Sequence, residues 1–330
     1  MPKYLMRHAA ALLAASLLTT STLAVAGPIA QNTLHARPIP PVIRYNTVKI
    51  DGVDVFYREA GPSGAPVVLL LHGFPTSSHM FRRLIPALAD RYHVIAPDYP
   101  GFGESAAPDH KAFKYGFGRY ADLMDGLMSR LGASRYAMYV MDYGAPVGYR
   151  LALKHPERVS ALIVQNGNAY EEGLGKFWDP IKAYWADNSD ARREAIAGLV
   201  SPETTKFQYT DGMSELSRID PDNWGHDQRL LDRPGNRDIQ LDLFLDYGTN
   251  VPLYPAFQEF FRKYQPPTLL IWGKNDKIFP ADGAYPYKKD LPKVEFHLLD
   301  SGHFVLEDQF EIAEPLIRDF LDRTIDRSRN

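Results

Sequence analysis

Residues 136–153 read YAMYVMDYGAPVGYRLAL, and this stretch decides the fold. Its first part, 136–141, is a continuous apolar run that predicts a buried strand. Asp142 opens a tight corner, DYGA, and residues 146–153 have the spacing of a helix that leaves this corner. A strained strand–turn–helix corner lifts one side chain above the edge of a sheet, where it can act as a nucleophile.

The side chain at this corner is a carboxylate, whereas a serine would be expected there. A serine needs a base before it can attack, but an aspartate, with a reference pKa of about 3.9, is already an anion at neutral pH. Asp142 therefore suits attack on a saturated carbon that bears a leaving group, which leaves an alkyl ester on the enzyme. A structural turn carboxylate is the alternative, but the chain has no Gly-x-Ser-x-Gly motif that would supply a serine nucleophile.

The composition of the chain limits the architectures and the classes of substrate that are possible. The chain has 330 residues, 45% of them hydrophobic, which is enough for one large α/β domain with an inserted lid. It contains no cysteine, which excludes disulfides and cysteine-based metal sites. The formal charge is −3 and no basic cluster occurs, which argues against nucleic-acid binding and favours a small, largely uncharged substrate.

The N-terminus predicts an exported protein. The pattern is that of a signal peptide at 1–26, cleaved near Ala26-Gly27 and followed by a leader at 27–43. The mature protein would be periplasmic or secreted. A membrane anchor is the alternative, but the apolar stretch is short for a stable span. The features that carry the prediction are basic Lys3 and Arg7, an apolar run at 9–18, and small residues at Ala24 and Ala26.

Strand and helix patterns alternate along most of the chain. This alternation predicts right-handed crossovers and a mostly parallel sheet flanked by helices. Between 167 and 266 no strand pattern occurs. We interpret this stretch as a helical cap inserted between two core parts, 44–166 and 267–330. A separate domain is the alternative. The predicted strands are 44–50, 53–58, 66–71, 92–97, 136–141, 161–165, 268–272 and 294–299, and the predicted core helices are 77–91, 120–131, 146–155 and 310–321.

Four short elements follow predicted strands in a fixed order. They are His72-Gly73-Phe74-Pro75, Asp142-Tyr143-Gly144-Ala145, Gly273-Lys274-Asn275-Asp276 and Ser301-Gly302-His303-Phe304. In an open parallel sheet, ligands bind beyond the carboxyl ends of the strands. The sequence therefore predicts one site at that edge, built from all four elements.

With these elements the chain resembles the α/β-hydrolase superfamily, specifically its aspartate-nucleophile branch of epoxide hydrolases and haloalkane dehalogenases, over roughly 44–321. The resemblance implies the α/β-hydrolase fold, with Asp142 as nucleophile, His303 as the base that activates water, and Asp276 as the partner of His303. It implies that the backbone N–H groups of Phe74 and Tyr143 bind the oxyanion. The sequence shows no metal-ligand cluster and no phosphate-binding glycine loop, so we expect no cofactor and no metal ion.

Other residues compete for these roles. Asp276 could cap the next helix, and Asp98 is interpreted as a residue that orders its loop. The position of His303 after the final strand favours it over the other candidate histidines, which are His72, His93, His155 and His297.

The residues of the cap should indicate which of the two candidate reactions the protein catalyses. Opening an epoxide to a diol makes an alkoxide, so a proton donor such as tyrosine has to meet the ring oxygen. The resemblance implies two cap tyrosines over the nucleophile, and Tyr184 and Tyr254 match best by position, with Tyr247 as a competitor to Tyr254.

Removing halide from a haloalkane or haloacid needs N–H dipoles instead, and Trp178 or Trp185 could supply them. Tyr143 stands where both groups of enzymes generally have tryptophan, while the His-Gly-Phe-Pro loop favours epoxides. A catalytically silent binding protein is the third hypothesis, and the complete triad argues against it.

Overall fold

The computed structural model describes residues 41–325, which form an eight-stranded sheet. The spatial order is β1-β2-β4-β3-β5-β6-β7-β8. Strand β2 runs antiparallel to both of its neighbours, and the pairs from β4 to β8 are parallel. The strands are β1 (Ile43–Ile50), β2 (Val53–Ala60), β3 (Val67–Leu71), β4 (His93–Pro97), β5 (Tyr136–Met141), β6 (Val159–Gln165), β7 (Thr268–Gly273) and β8 (Glu295–Leu299). The predicted α/β class and its mostly parallel sheet are confirmed.

The central strands are buried on both faces. In β5, Met138 and Val140 belong to the apolar cluster on one face of the sheet, and Ala137 and Tyr139 belong to the cluster on the other. Successive side chains of a strand point to opposite faces, so a continuous apolar run is what two covered faces require.

Helices cover both faces of the sheet. One predicted helix, 77–91, is in fact split into a 3-10 turn, Ser78–Phe81, and a short α-helix, because Pro86 has no N–H to continue a helix through residues 82–86. The core helices are α1 (Leu84–Leu88), α2 (Phe117–Arg130), α3 (Gly144–Lys154), and, after the inserted segment, α10 (Tyr287–Asp290), α11 (Val305–Asp308) and α12 (Phe310–Thr324).

The segment between β6 and β7 is built from helices and turns. Helix α8 lies over the corner that follows β5, where Phe244 and Tyr247 contact the ring of Tyr143. The last helix of the segment, α9, packs instead on core helix α3 through Phe257 and Phe261. The helices are α4 (Asp179–Ala186), α5 (Asp190–Ala195), α6 (Pro202–Thr210), α7 (Pro221–Leu231), α8 (Asn236–Tyr247) and α9 (Tyr254–Tyr264).

The predicted signal peptide, 1–26, lies outside the described residues, as does the leader up to residue 40. Within 41–325, no helix combines the length and the apolar character needed to cross a bilayer.

Candidate active site

The corner after β5 holds Asp142 in a constrained position. Its φ is 50°, in the left-handed region that non-glycine residues rarely adopt, and the residue is 3% exposed. A Cβ on Gly73 would lie 2.3 Å from the Asp142 Cβ, and one on Gly144 would lie 2.2 Å from the carbonyl oxygen of Leu71. Glycine at these two positions lets the loop after β3 and the corner after β5 meet closely.

Two backbone N–H groups hold one oxygen of the Asp142 carboxylate. The N–H of Phe74 donates to Oδ1 at 2.7 Å, and the N–H of Tyr143 donates to the same oxygen at 2.5 Å. The structure thus brings together the three residues that the sequence assigned to the nucleophile and the oxyanion hole. The other oxygen, Oδ2, lies on the side of His303.

His303 faces this free oxygen. Its Nε2 lies 3.9 Å from Asp142 Oδ2 and has no hydrogen-bond partner, although the residue is only 2% exposed. Its Nδ1 lies 2.8 Å from Asp276 Oδ2, so Asp276 accepts the Nδ1–H and leaves Nε2 as the acceptor nitrogen in neutral imidazole. The predicted nucleophile, histidine and acid therefore lie in one connected row.

Sequence reasoning missed Asn166, which orients the acid. Its Nδ2 donates to Asp276 Oδ2 at 2.6 Å, and its Oδ1 accepts the N–H of Gly273 at 3.1 Å. The backbone N–H of Ile278 donates to the other Asp276 oxygen at 2.7 Å. Asn166 directly follows β6 and has a φ of 45°, a conformation that asparagine tolerates better than most residues. An asparagine at the end of a predicted strand was the only signal in the sequence.

Burial and nearby charges set the protonation states of Asp142 and His303. Burial raises the pKa of Asp142 to about 6, against the opposing effects of His303 and the N–H groups of Phe74 and Tyr143. Burial lowers the pKa of His303, but the charge and hydrogen bond of Asp276 outweigh it, so the net pKa is raised. Asp142 is therefore a less acidic carboxylate than a free aspartate and still mostly ionised at neutral pH.

The competing residues have other partners. His72 is fully buried, its Nδ1 lies 3.0 Å from the Gly73 carbonyl, and burial lowers its pKa to about 3. Asp98 accepts the backbone N–H groups of Ser78 and Glu104 at 2.7 and 2.8 Å, which is the loop-ordering role that the sequence favoured. The remaining histidines lie away from the row: His93 pairs with Glu59, His155 lies near Asp125, and His297 lies within β8.

Aromatic rings pack around Tyr143, the residue that follows Asp142. The Tyr143 ring contacts Phe74, Phe117 and Tyr247 with centroid separations of 5.9, 4.9 and 5.9 Å. Trp178 covers the other side of Tyr247 at 4.3 Å. This apolar enclosure excludes water from the carboxylate, which is the physical cause of its raised pKa.

Several buried tyrosines adjoin this enclosure: the hydroxyl groups of Tyr99, Tyr143 and Tyr247 have no hydrogen-bond partner, and burial and the charge of Asp142 raise the pKa of each. Tyr247 is fully buried. Burial is the main cause that raises its pKa, and the charges of Tyr254 and Asp142 raise it further. Tyr247 and Tyr254 influence each other's pKa, and the Tyr247 hydroxyl has no completed hydrogen bond. Tyr254 accepts a 3.0 Å hydrogen bond from the Asn168 amide.

The other cap residues assigned from the sequence have hydrogen-bond partners outside the row of Asp142, His303 and Asp276. The Tyr184 hydroxyl accepts a hydrogen bond from Arg193, which is itself paired with Asp238 and Asp242. The indole N–H of Trp185 donates to the Phe244 carbonyl at 2.7 Å, and that of Trp178 donates to the Ile278 carbonyl at 2.8 Å. Both tryptophans thus contribute their rings to the enclosure, while their N–H groups are already used. Among residues 41–325, no group of three or more His, Asp or Glu residues is arranged to hold a metal ion.

Comparison with known proteins agrees with this architecture. The family model described as the alpha/beta hydrolase fold matches residues 66–310. The uncharacterized hydrolase YNR064C of Saccharomyces cerevisiae is 46% identical over 287 residues, which cover 85% of this chain and 98% of that protein. The chain therefore belongs to the α/β-hydrolase fold family.

Shorter matches relate it to two groups of hydrolases. Epoxide hydrolase A of Mycobacterium tuberculosis is 42% identical over 116 residues, covering 35% of this chain and 36% of that protein. A haloalkane dehalogenase of Bradyrhizobium diazoefficiens is 36% identical over 123 residues, covering 37% of this chain and 39% of that protein. The protein is a hydrolase of the α/β fold related to epoxide hydrolases and haloalkane dehalogenases.

Proposed function

We propose that this hydrolase converts epoxides to vicinal diols through a covalent ester on Asp142. The observation that carries the proposal is a buried phenol hydroxyl that feels the charge of the carboxylate. The Tyr247 ring contacts that of Tyr143, the charge of Asp142 contributes to the raised pKa of Tyr247, and the Tyr247 hydroxyl has no completed hydrogen bond. A weakly acidic phenol suits the protonation of an epoxide oxygen as its ring opens.

In the first step, Asp142 Oδ2 attacks an epoxide carbon while Oδ1 stays bonded to the N–H groups of Phe74 and Tyr143. The carbon–oxygen bond of the ring breaks, and the ring oxygen takes a proton from the phenol pair. The products are a hydroxyalkyl ester and a phenolate. Because the charge of Asp142 raises the pKa of Tyr247, neutralising Asp142 as the ester forms makes proton donation easier at the moment it is needed.

In the second step, His303 Nε2 removes a proton from water, and the water oxygen attacks the ester carbon. The negative charge then develops on Oδ1, which already lies against the two N–H donors. Such a donor is typically worth about 2.7–4 kcal/mol of barrier. As the intermediate collapses, His303 returns its proton to the leaving alkoxide oxygen and the diol is released. The second proton of the water, left on the Asp142 carboxyl group, passes to the phenolate, which restores both the phenol and the carboxylate.

Dehalogenation by the same triad is the alternative. A departing halide needs N–H dipoles, and tryptophan was the residue expected to supply them. Three of the four indoles donate to backbone carbonyls: Trp178 to Ile278, Trp185 to Phe244, and Trp272 to Phe279. The fourth, Trp224, packs beside Tyr209 and Lys206. This commitment of the indoles favours epoxides.

A paired substrate panel tests the proposal. The purified protein is assayed with aliphatic and aromatic epoxides and with chloro- and bromoalkanes of matched size. We expect diol from the epoxides and no halide release from the haloalkanes. Halide release without diol formation would replace the proposal with dehalogenation.

Isotope labelling tests the covalent step separately. In a single turnover in oxygen-18 water, we expect the label in the Asp142 side chain and not in the first diol released, because water attacks the ester carbon. His303→Gln should trap the ester, giving one equivalent of consumed epoxide and an adduct on the peptide that contains Asp142. Label found in the diol alone would rule out the ester route.

We also propose that the mature protein is exported after loss of residues 1–26. The support is the residue pattern at 9–26, with small residues before Gly27. N-terminal sequencing of the protein recovered from the periplasm or medium should begin at Gly27; an intact N-terminus in the cytoplasm would contradict export.

A further inference from the structure

Asn168 is a buried asparagine that contacts the phenol pair and has no part in the triad. It lies just beyond β6 and is fully buried. Its Nδ2 donates to the Tyr254 hydroxyl oxygen at 3.0 Å, and its Oδ1 accepts the backbone N–H of Tyr170 at 3.3 Å. A backbone N–H can only donate, so this contact fixes which end of the amide is the oxygen. The amide N–H is therefore directed at Tyr254.

Close packing holds the Asn168 side chain in place. A Cβ on Gly173 would lie 2.1 Å from Asn168 Oδ1, and one on Gly283 would lie 3.0 Å from it. Glycine at 173 and 283 therefore makes room for the amide. Any larger residue at 173 would displace the amide from its position against Tyr254.

This contact determines where charge collects when the phenols give up a proton. The Tyr254 oxygen accepts from Asn168, so its own proton must point elsewhere, toward Tyr247 or the substrate. Burial raises the pKa of Tyr254, and the Tyr247 hydroxyl and the Asn168 amide oppose that rise. Whether Tyr254 donates directly or through Tyr247, the remaining negative charge ends on Tyr254, beside the Asn168 N–H.

We infer that Asn168 is a positioning residue that orients the Tyr254 proton and stabilises the phenolate formed as the epoxide opens. The inference rests on the proposed epoxide hydrolysis and deepens it. The end of β6 then has two roles, since Asn166 orients the acid of the triad and Asn168, two residues later, orients the proton donor.

The test measures the two chemical steps separately in three variants. Asn168→Ala removes the donor without adding bulk near Gly173, and Asn168→Asp replaces the donor with a carboxylate that accepts the Tyr254 proton. Asn236→Ala is the matched control, because Asn236 is 1% exposed and bonds to the Leu230 carbonyl and Gln240, outside the site. Rapid-quench kinetics with an epoxide gives the rate of ester formation and the rate of ester hydrolysis.

We expect Asn168→Ala to slow ester formation about tenfold or more, since a hydrogen bond to a charged group is lost in that step. Asn168→Asp should slow it further, and the rate of ester hydrolysis should not change in either variant. The basic limb of the pH profile for ester formation should move to higher pH, because the phenolate is less stable. Asn236→Ala should leave both rates unchanged.

Equal slowing of both steps, or an unmoved basic limb, would reduce Asn168 to a structural residue and overturn the inference. Unchanged kinetics in both Asn168 variants would do the same. A wild-type protein that forms no ester with any epoxide would instead defeat the proposed function, so the two failures can be told apart. Rescue of the rate by Asn168→Gln is not expected, because the longer side chain does not fit beside Gly173.

Discussion

The protein holds the triad and the phenol pair, Tyr247 and Tyr254, by different means. Directional hydrogen bonds fix the triad: the N–H groups of Phe74 and Tyr143 bind Oδ1, and Asn166 and Ile278 bind Asp276. Ring packing holds Tyr247, whose neighbours are aromatic, and its hydroxyl has no completed hydrogen bond. The Asn168 amide is the polar group that anchors Tyr254.

This difference separates the proposed steps of ester formation and hydrolysis from the proposed choice of substrate. Hydrogen bonds from residues next to strand ends place the triad within narrow limits, because the sheet fixes the backbone that donates them. Packed rings set a shape that a few substitutions can change while the triad stays intact. We therefore expect changes in the triad to abolish turnover and changes around the phenols to have graded effects.

The largest effect is expected at the nucleophile. Asp142→Ala should lower kcat by more than about 10⁴-fold, because no ester can form. Asp290→Asn is a suitable control, since this buried carboxylate bonds to Tyr170 and Arg262 outside the site. Steady-state assays of both variants with one epoxide make the measurement, and retained activity in Asp142→Ala would move the nucleophile elsewhere.

The phenols should show the next largest effect. Removing both hydroxyl groups with Tyr247→Phe and Tyr254→Phe should lower the rate of ester formation about 10²–10⁴-fold, the usual range for general-acid catalysis. Tyr184→Phe is the control, since its hydroxyl bonds to Arg193, and it should change the rate little. The opposite ranking in pre-steady-state assays would return the donor role to Tyr184.

Changes of pH should alter the rates of the two steps, and this effect should be smaller than that of removing the phenols. Attack needs ionised Asp142, whose pKa is raised to about 6, so kcat/KM should rise with pH through that value and fall about tenfold per unit below it. Ester hydrolysis needs neutral His303, whose pKa is also raised, so this step should be lost as pH falls through that raised pKa. Kinetics between about pH 4 and 9 measure both limbs, and activity that increases toward acid would contradict them.

The smallest effect is expected at Trp178, which lies between the triad and the phenol pair. Trp178 donates its indole N–H to the Ile278 carbonyl, next to the acid, while its ring packs on Tyr247. Trp178→Phe keeps an aromatic ring and loses the hydrogen bond, so it should reduce the free energy of unfolding by about 1 kcal/mol and kcat by a few-fold. Denaturant unfolding and steady-state assays check this, and a loss as large as that of the phenol double variant would show tight coupling of the regions.

Local patterns were sufficient for the sheet and for the arrangement of the triad residues. Strand β5 is buried at every position, and the residues named for the nucleophile, oxyanion hole, acid and histidine all follow strands. The carboxyl ends of parallel strands lie along one edge, so motifs distant in sequence converge there. Asn166 and Asn168 follow β6 in the same way, but single asparagines after a strand are too common to point to a role.

The sequence by itself determined the α/β class, the corner at Asp142 and the order of the elements at the strand ends, because periodicity and turn chemistry are local properties of the chain. Tertiary structure alone decided which hydroxyl and indole groups remain available. The sequence around Tyr184, Tyr247 and Tyr254 does not show which of their hydroxyl groups is available. Only helix packing places the Arg193 guanidinium against the Tyr184 hydroxyl and exposes Tyr247 to the charge of Asp142, since such contacts join residues from separate elements.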